Sequence, residues 1–139
     1  MKSSLKPGLT YRHTFVVPPT KTVPHLYPES DIFRSMPDVL ATGFMVGLME
    51  WACVELLRPH LDPGEGSLGI SIDVSHEAAT PPGHKVTVDA TLAAIDGRKL
   101  SFEVVAHDER DLIGRGKHGR SVVLWEKFNA RVAEKAKRS

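Results

Sequence analysis

Glu50 stands inside ATGFMVGLMEWACVELL, residues 41–57, and no residue between Asp38 and Glu50 carries a charge. A carboxylate surrounded by Met, Leu, Trp and Ala is costly to bury unless it is paired or neutralised. Either its side of the segment faces water, or the residue is there for chemistry. A second candidate is His76. In ISIDVSHEAA, Ile70, Ile72, Val74 and His76 share one face of a strand, the face expected to pack on the helix that carries Glu50. A histidine on an apolar face can be simple core packing. A carboxylate and a histidine approaching one buried site can also do acid–base or nucleophilic work.

Thr42 lies two helical turns before Glu50, about 12 Å along the axis and on a neighbouring face. The two side chains cannot touch within one helix. They can bracket a substrate, or meet across an interface where two such helices run antiparallel. Thr42 can equally bond back to its own helix. Gly69 sits inside the strand SLGISID, where glycine marks a bulge or the close approach of a ligand to the backbone. The string GEGSLG, residues 64–69, matches a dinucleotide fingerprint only in spelling. It follows a helix and opens a strand, the reverse of that motif's context, so Gly64 and Gly66 read as turn residues. The seven histidines form no helical i, i+4 pair and no cluster with cysteine, which argues against a metal site. Cys53, the only cysteine, reads as apolar packing.

The elements that must position these residues follow from pattern. Residues 10–17 read as a strand. The proline-rich segment 18–37 reads as an ordered surface loop and a lid, with Val23, Leu26, Phe33 and Met36 turned inwards. Residues 38–58 read as one long helix. Its apolar residues, among them Phe44, Leu48, Met49, Trp51 and Cys53, cover most of its circumference and predict burial on all sides. After Gly66 come four strand-like runs, ending in LIGRGKHGRSVVLWEKF, with breaks at TPPG, Asp96-Gly97 and Glu109–Asp111 that predict a four-stranded meander. Residues 130–139 read as a polar, basic tail or short helix. A strand, a loop, a long apolar helix and a run of strands predict a single α+β domain over 1–139. It is a hot-dog fold, a curved antiparallel sheet of about five strands around one helix. Such a unit leaves a strand edge open and favours a homodimer.

Composition excludes several alternatives. The chain has 139 residues, 41% hydrophobic and 25% charged, with a net charge of +1. That balance offers no nucleic-acid footprint, and no apolar run is long enough for a membrane span or a signal peptide. A soluble, cytoplasmic protein is expected. Arg98, Lys99, Arg115, Lys117 and Arg120 concentrate on the hairpins and last strand. They read as a solvated edge or as a basic rim for the phosphates of an acyl-CoA.

The strings FVVPPTKTVPHLYPES, ATGFMVGLMEWACV, DPGEGSLG, HEAATPPG, VTVDATL and EKFNARV span nearly the whole chain. Through them the sequence resembles the fluoroacetyl-CoA thioesterases of the hot-dog superfamily. The resemblance implies hydrolysis of a short acyl-CoA, fluoroacetyl-CoA foremost, with a role in fluoroacetate resistance. It implies a catalytic set of Thr42, Glu50 and His76 at a dimer interface, and a substrate held by Gly69 and Arg120. CoA is part of the substrate and no cofactor is implied. The family's lid carries a phenylalanine pair; Phe33 fits the first, and Met36 stands at the second. Two other functions stay open: a non-catalytic hot-dog protein that binds an acyl-CoA or a partner, and a thioesterase for a different small acyl-CoA. A binding module needs no carboxylate in its central helix, so Glu50 with His76 favours an enzyme.

Overall fold

The computed structural model describes residues 1–138. The elements run β1 (Thr10–Val16), α1 (Asp31–Arg34), α2 (Thr42–Leu57), β2 (Glu65–Val74), β3 (Lys85–Asp96), β4 (Lys99–His107), β5 (Leu112–Leu124) and α3 (Trp125–Arg138). One five-stranded antiparallel sheet, in the order β1-β3-β4-β5-β2, packs on α2. Strands β3 and β4 alternate buried and exposed residues along most of their length, as half-covered strands should. Val88, Leu92, Phe102 and Val104 from these strands meet Met45, Met49 and Cys53 from α2 in the core. Truncating one of the large members to alanine costs about 2–5 kcal/mol.

Three expectations are corrected. The four last strands are not a simple meander. β3, β4 and β5 are joined by hairpins, but β2 pairs with β5, from Glu65 opposite Leu124 to Val74 opposite Gly116. TPPG is therefore no hairpin turn. It belongs to the crossing from the edge strand β2 to β3, which lies inside the opposite edge, and the Thr80 carbonyl there accepts from the Leu40 amide. Helix α2 begins at Thr42, not at residue 38, because the preceding residues pair in extended form with the lid. Val23 N–H donates to the Val39 carbonyl, and Ala41 N–H to that of Lys21. Finally, WEKF is helical. A methyl group at position 66 would lie 1.9 Å from the Trp125 ring, so the indole occupies the space that Gly66 leaves empty. There the chain departs from the sheet into α3, which takes up the expected tail and buries none of its residues. Ser139, the end of that tail, lies outside the described residues.

α2 is apolar all round yet not buried all round. Met45, Leu48, Met49, Ala52, Cys53, Leu56 and Leu57 are buried, while Trp51 on the other side is 45% exposed. An apolar hollow of about 180 Å³, lined by Phe15, Leu40, Phe44, Leu48 and Trp51 among others, opens on that flank.

Candidate active site

Helix α2 presents its two candidate residues, Thr42 and Glu50, to different surroundings. At its first residue, the Thr42 hydroxyl lies 2.8 Å from His76 Nδ1. His76 follows the end of β2, and its neighbours keep the ladder to β5 going. Ser75 N–H donates to the Arg115 carbonyl, and Glu77 N–H to that of Ile113. His76 Nε2 is buried and has no hydrogen-bond partner among the described residues. Loss of solvent holds the His76 pKa below the ordinary histidine value.

The proline-rich segment expected to be a lid stands at this same end. Val23, Leu26 and Phe33 are half-buried. Leu26 rests on Gly43, where an added methyl group would come within 3.3 Å of its Cδ1. The Tyr27 and Phe33 rings meet edge to face, with centroids 5.5 Å apart. Met36 departs from the expected inward set: it is 37% exposed in the single chain.

Two turns further along α2, Glu50 belongs to a second cluster. Arg120 Nη1 donates to Glu50 Oε1 at 2.9 Å. The Glu50 side chain is 41% exposed and that of Arg120 only 5%. This revises the expectation of a buried glutamate. The carboxylate is half-open, and the arginine that holds it is buried. That burial also takes Arg120 out of the basic rim. Gly69 stands opposite Arg120 in the β2–β5 ladder. A methyl group there would lie 2.6 Å from Glu50 Oε1, so only glycine leaves room for the carboxylate.

The register shifts between Gly69 and Ser71. This bulge changes which residues of β2 look at α2. Before it, Ser67 and Gly69 do; after it, Ile72 stands opposite His118, and Val74 packs on the core. Ile70 falls in the bulge and is exposed, as is Ile72, so those two do not form the covered face expected of them.

Sequence reasoning passed over two members of this cluster. Ser67 accepts from Arg120 through its hydroxyl (from Nε, 2.9 Å) and its carbonyl (from Nη2, 3.0 Å). His118 is buried beside Arg120, with Nε2 3.1 Å from Nη1. The available signal was the i, i+2 spacing of His118, Arg120 and Val122, which puts all three on the inner face of β5. Cys53 lies one turn beyond Glu50 at full burial, which pushes its thiol pKa up to about 12 and leaves it no part as a nucleophile. A hollow of about 690 Å³, bordered by Asp73, Glu103, Arg115 and Lys117 among others, includes two of the expected basic-rim residues but none of the expected catalytic or acyl-binding ones. Among the described residues, no group of three or more His, Cys, Asp or Glu is placed to hold a metal ion.

The two clusters together contain a hydroxyl–imidazole pair, a half-open carboxylate on a guanidinium and an apolar lid, the parts that hydrolysis of a small acyl group requires. Comparison with known proteins agrees. Residues 21–126 match the family described as fluoroacetyl-CoA-specific thioesterase. The fluoroacetyl-CoA thioesterase of Streptantibioticus cattleyicolor is 59% identical over 135 residues, 97% of either chain. One solved structure is a phenylalanine-to-alanine variant of the fluoroacetyl-CoA-specific thioesterase in complex with fluoroacetate and CoA. It is 60% identical, with a TM-score of 0.87, covering 89% of this chain and 99% of that one. A hot-dog-like protein from Thermanaerovibrio acidaminovorans, 24% identical with a TM-score of 0.80 over 94% of this chain and 93% of its own, shares the fold alone. The chain belongs to the fluoroacetyl-CoA-specific thioesterase family and has the hot-dog fold.

Proposed function

We propose that this protein is a cytoplasmic thioesterase that hydrolyses fluoroacetyl-CoA to fluoroacetate and CoA, and so serves fluoroacetate resistance. The observation that carries this reading is the Glu50 carboxylate: half-open to a substrate, held through one oxygen by a buried arginine, and beside a glycine that makes room for it. In hydrolysis a C–O bond forms at the thioester carbon and the C–S bond breaks. Glu50 supplies the oxygen, either its own carboxylate oxygen or that of a water whose proton it takes. In the water route Glu50 hands that proton to the neutral His76, which passes it to the departing thiolate. In the covalent route the thiolate leaves first, and His76 takes the proton of the water that later hydrolyses the anhydride and passes it to the thiolate. Thr42 orients the His76 imidazole. Gly69 and Arg120 line the place where the acyl group sits, under Val23, Leu26 and Phe33, with Met36 at the outer rim.

The working unit of this proposal is a homodimer. Within one chain Glu50 contacts Arg120 and His118, while Thr42 and His76 contact each other. A second copy facing the open side of α2 would bring its Glu50 to this chain's Thr42 and His76. It would also cover the free edge of β2 with its exposed Ile70 and Ile72. The test is release of free thiol from fluoroacetyl-CoA and acetyl-CoA by the wild type and by Glu50→Gln. Release by the wild type that Glu50→Gln abolishes is expected. Equal release by both would remove Glu50 from the chemistry. No release by the wild type would favour the reading as an acyl-CoA-binding module.

A further inference from the structure

His118 is not accounted for by the catalytic set, yet it is among the least exposed polar residues of the chain, at 3%. Every element packed around it contributes a defined contact. From β2, the Ser71 carbonyl lies 2.7 Å from Nδ1. From β5, Arg120 Nη1 lies 3.1 Å from Nε2. From α2, Glu50 Oε1 lies 3.8 Å from Nε2. From β4, the Phe102 ring stacks on the imidazole at 6.4 Å between centroids. The charged groups that face it are therefore Glu50 and Arg120.

These contacts fix the tautomer. A carbonyl only accepts, so Nδ1 carries the hydrogen. A guanidinium only donates, so Nε2 must offer its lone pair. A second proton on the ring would turn Nε2–H towards the guanidinium N–H. Burial and the Arg120 charge both oppose that protonation, and they hold the His118 pKa low against the opposite pull of Ser71 and Glu50. Arg120 Nη1 then has two hydrogens and two acceptors, His118 Nε2 and Glu50 Oε1, while Ser67 occupies Nε and Nη2. The guanidinium is gripped from three elements.

We propose that His118 is a positioning residue for the hydrolysis: a neutral Nδ1–H imidazole whose Nε2 accepts from Arg120 and so aims the other Nη1 hydrogen at Glu50. This rests on the hydrolase reading above. Without the acceptor, the guanidinium turns and the carboxylate loses its fixed place, an error of the kind that costs about 100-fold in rate when a reacting group shifts by an ångström.

Three variants separate the contacts. His118→Phe keeps the ring on Phe102 and removes both polar atoms. His118→Gln puts an amide oxygen where Nε2 was, and His118→Asn keeps only a donor for the Ser71 carbonyl. The expected result is a fall in kcat of about 100-fold for Phe and for Asn, with KM within about threefold of the wild type, and recovery of most of that loss by Gln. Activity is counted per folded molecule, and the order of the variants in kcat should not follow their order in Tm. A His118→Phe enzyme with wild-type kcat, or Asn and Gln equal in activity, overturns the inference while leaving the hydrolase reading intact; an inactive wild type overturns both. Nitrogen-15 shifts of the histidines give an independent readout without substrate: His118 should be the neutral Nδ1–H form at pH 7, and a charged ring or an Nε2–H tautomer contradicts the proposal.

Discussion

The two ends of helix α2 are built differently. At the Thr42 end a hydrogen bond joins an exposed hydroxyl to His76, whose other nitrogen has no partner among the described residues, and Leu26 of the proline-rich segment rests beside it on a glycine. At the Glu50 end the arginine is gripped by Ser67, His118 and the carboxylate, from three elements of structure. One end is open and can receive a group. The other is cross-linked and can hold a charge in place. Catalysis of this kind needs both: a fixed charge where negative charge is handled, and adjustable partners where a substrate enters and leaves. Two turns of helix keep the two ends of one chain apart, and in the proposed homodimer a complete site would draw on two copies.

The largest effect that sharpens this contrast is at Glu50. Glu50→Gln should lower kcat by about 1000-fold or more, in the range lost when a charge-handling group is removed, and leave Tm nearly unchanged, because the amide oxygen still accepts from Arg120. Glu50→Ala should lose as much activity and also about 1–3 kcal/mol of stability, since it leaves a buried guanidinium hydrogen without its acceptor. An unpaired glutamate would be replaced at no cost in stability, and the Arg120 contact reverses that expectation. Thermal melts and thiol-release rates on both variants check it; equal Tm for Gln and Ala would mean that the ion pair holds nothing in place.

This last point shows how far the sequence was legible. The period-2 strands, the apolar helix and the odd placement of Glu50 are local patterns, and the helix and five strands follow from them. What lies opposite Glu50 is not local. Arg120 reaches it only because β2 pairs with β5, some fifty residues away along the chain, and TPPG looks like a hairpin turn until that pairing is known. The bulge after Gly69 moves the covered face of β2 from odd to even residues, which no alternation count contains. His118 reads as one of seven histidines until the Ser71 carbonyl and Arg120 arrive from either side. Trp125 reads as strand because its ring is aromatic, and only the empty space at Gly66 turns the chain into α3.

An intermediate effect concerns pH. His76 and His118 are both held below the ordinary histidine pKa of 6.5, by burial first of all. Both are neutral at pH 7, and kcat should be level there. It should fall only at a pH below the usual histidine range, as the rings gain protons and lose their acceptor nitrogens. Stability follows the same sign. In the unfolded chain these histidines take up protons near pH 6.5, before the folded chain does. Their contribution is therefore full above that value and is lost as pH falls through the lower folded pKa values. Rate and Tm measured from pH 8 to pH 5 check this; a rate that falls already between pH 8 and 7 breaks it.

The smallest effect is expected at the lid. Met36 is flexible and partly exposed, so Met36→Phe should raise the preference for fluoroacetyl over acetyl thioester by no more than about tenfold in kcat/KM. An unchanged or lower ratio would make position 36 simple packing rather than a determinant of selectivity.

The central claim, that the open end of one α2 works with the cross-linked end of another, is tested most directly by mixing two dead enzymes. Glu50→Gln retains the Thr42–His76 pair, and His76→Ala retains the Glu50–Arg120 cluster. If the site is shared between copies, each mixed dimer contains one intact site, and after equilibration of equal amounts the mixture should regain about one quarter of wild-type activity. A mixture no more active than the average of its two parents, with exchange of copies confirmed by mass, would contradict a shared site and place the whole reaction within a single chain.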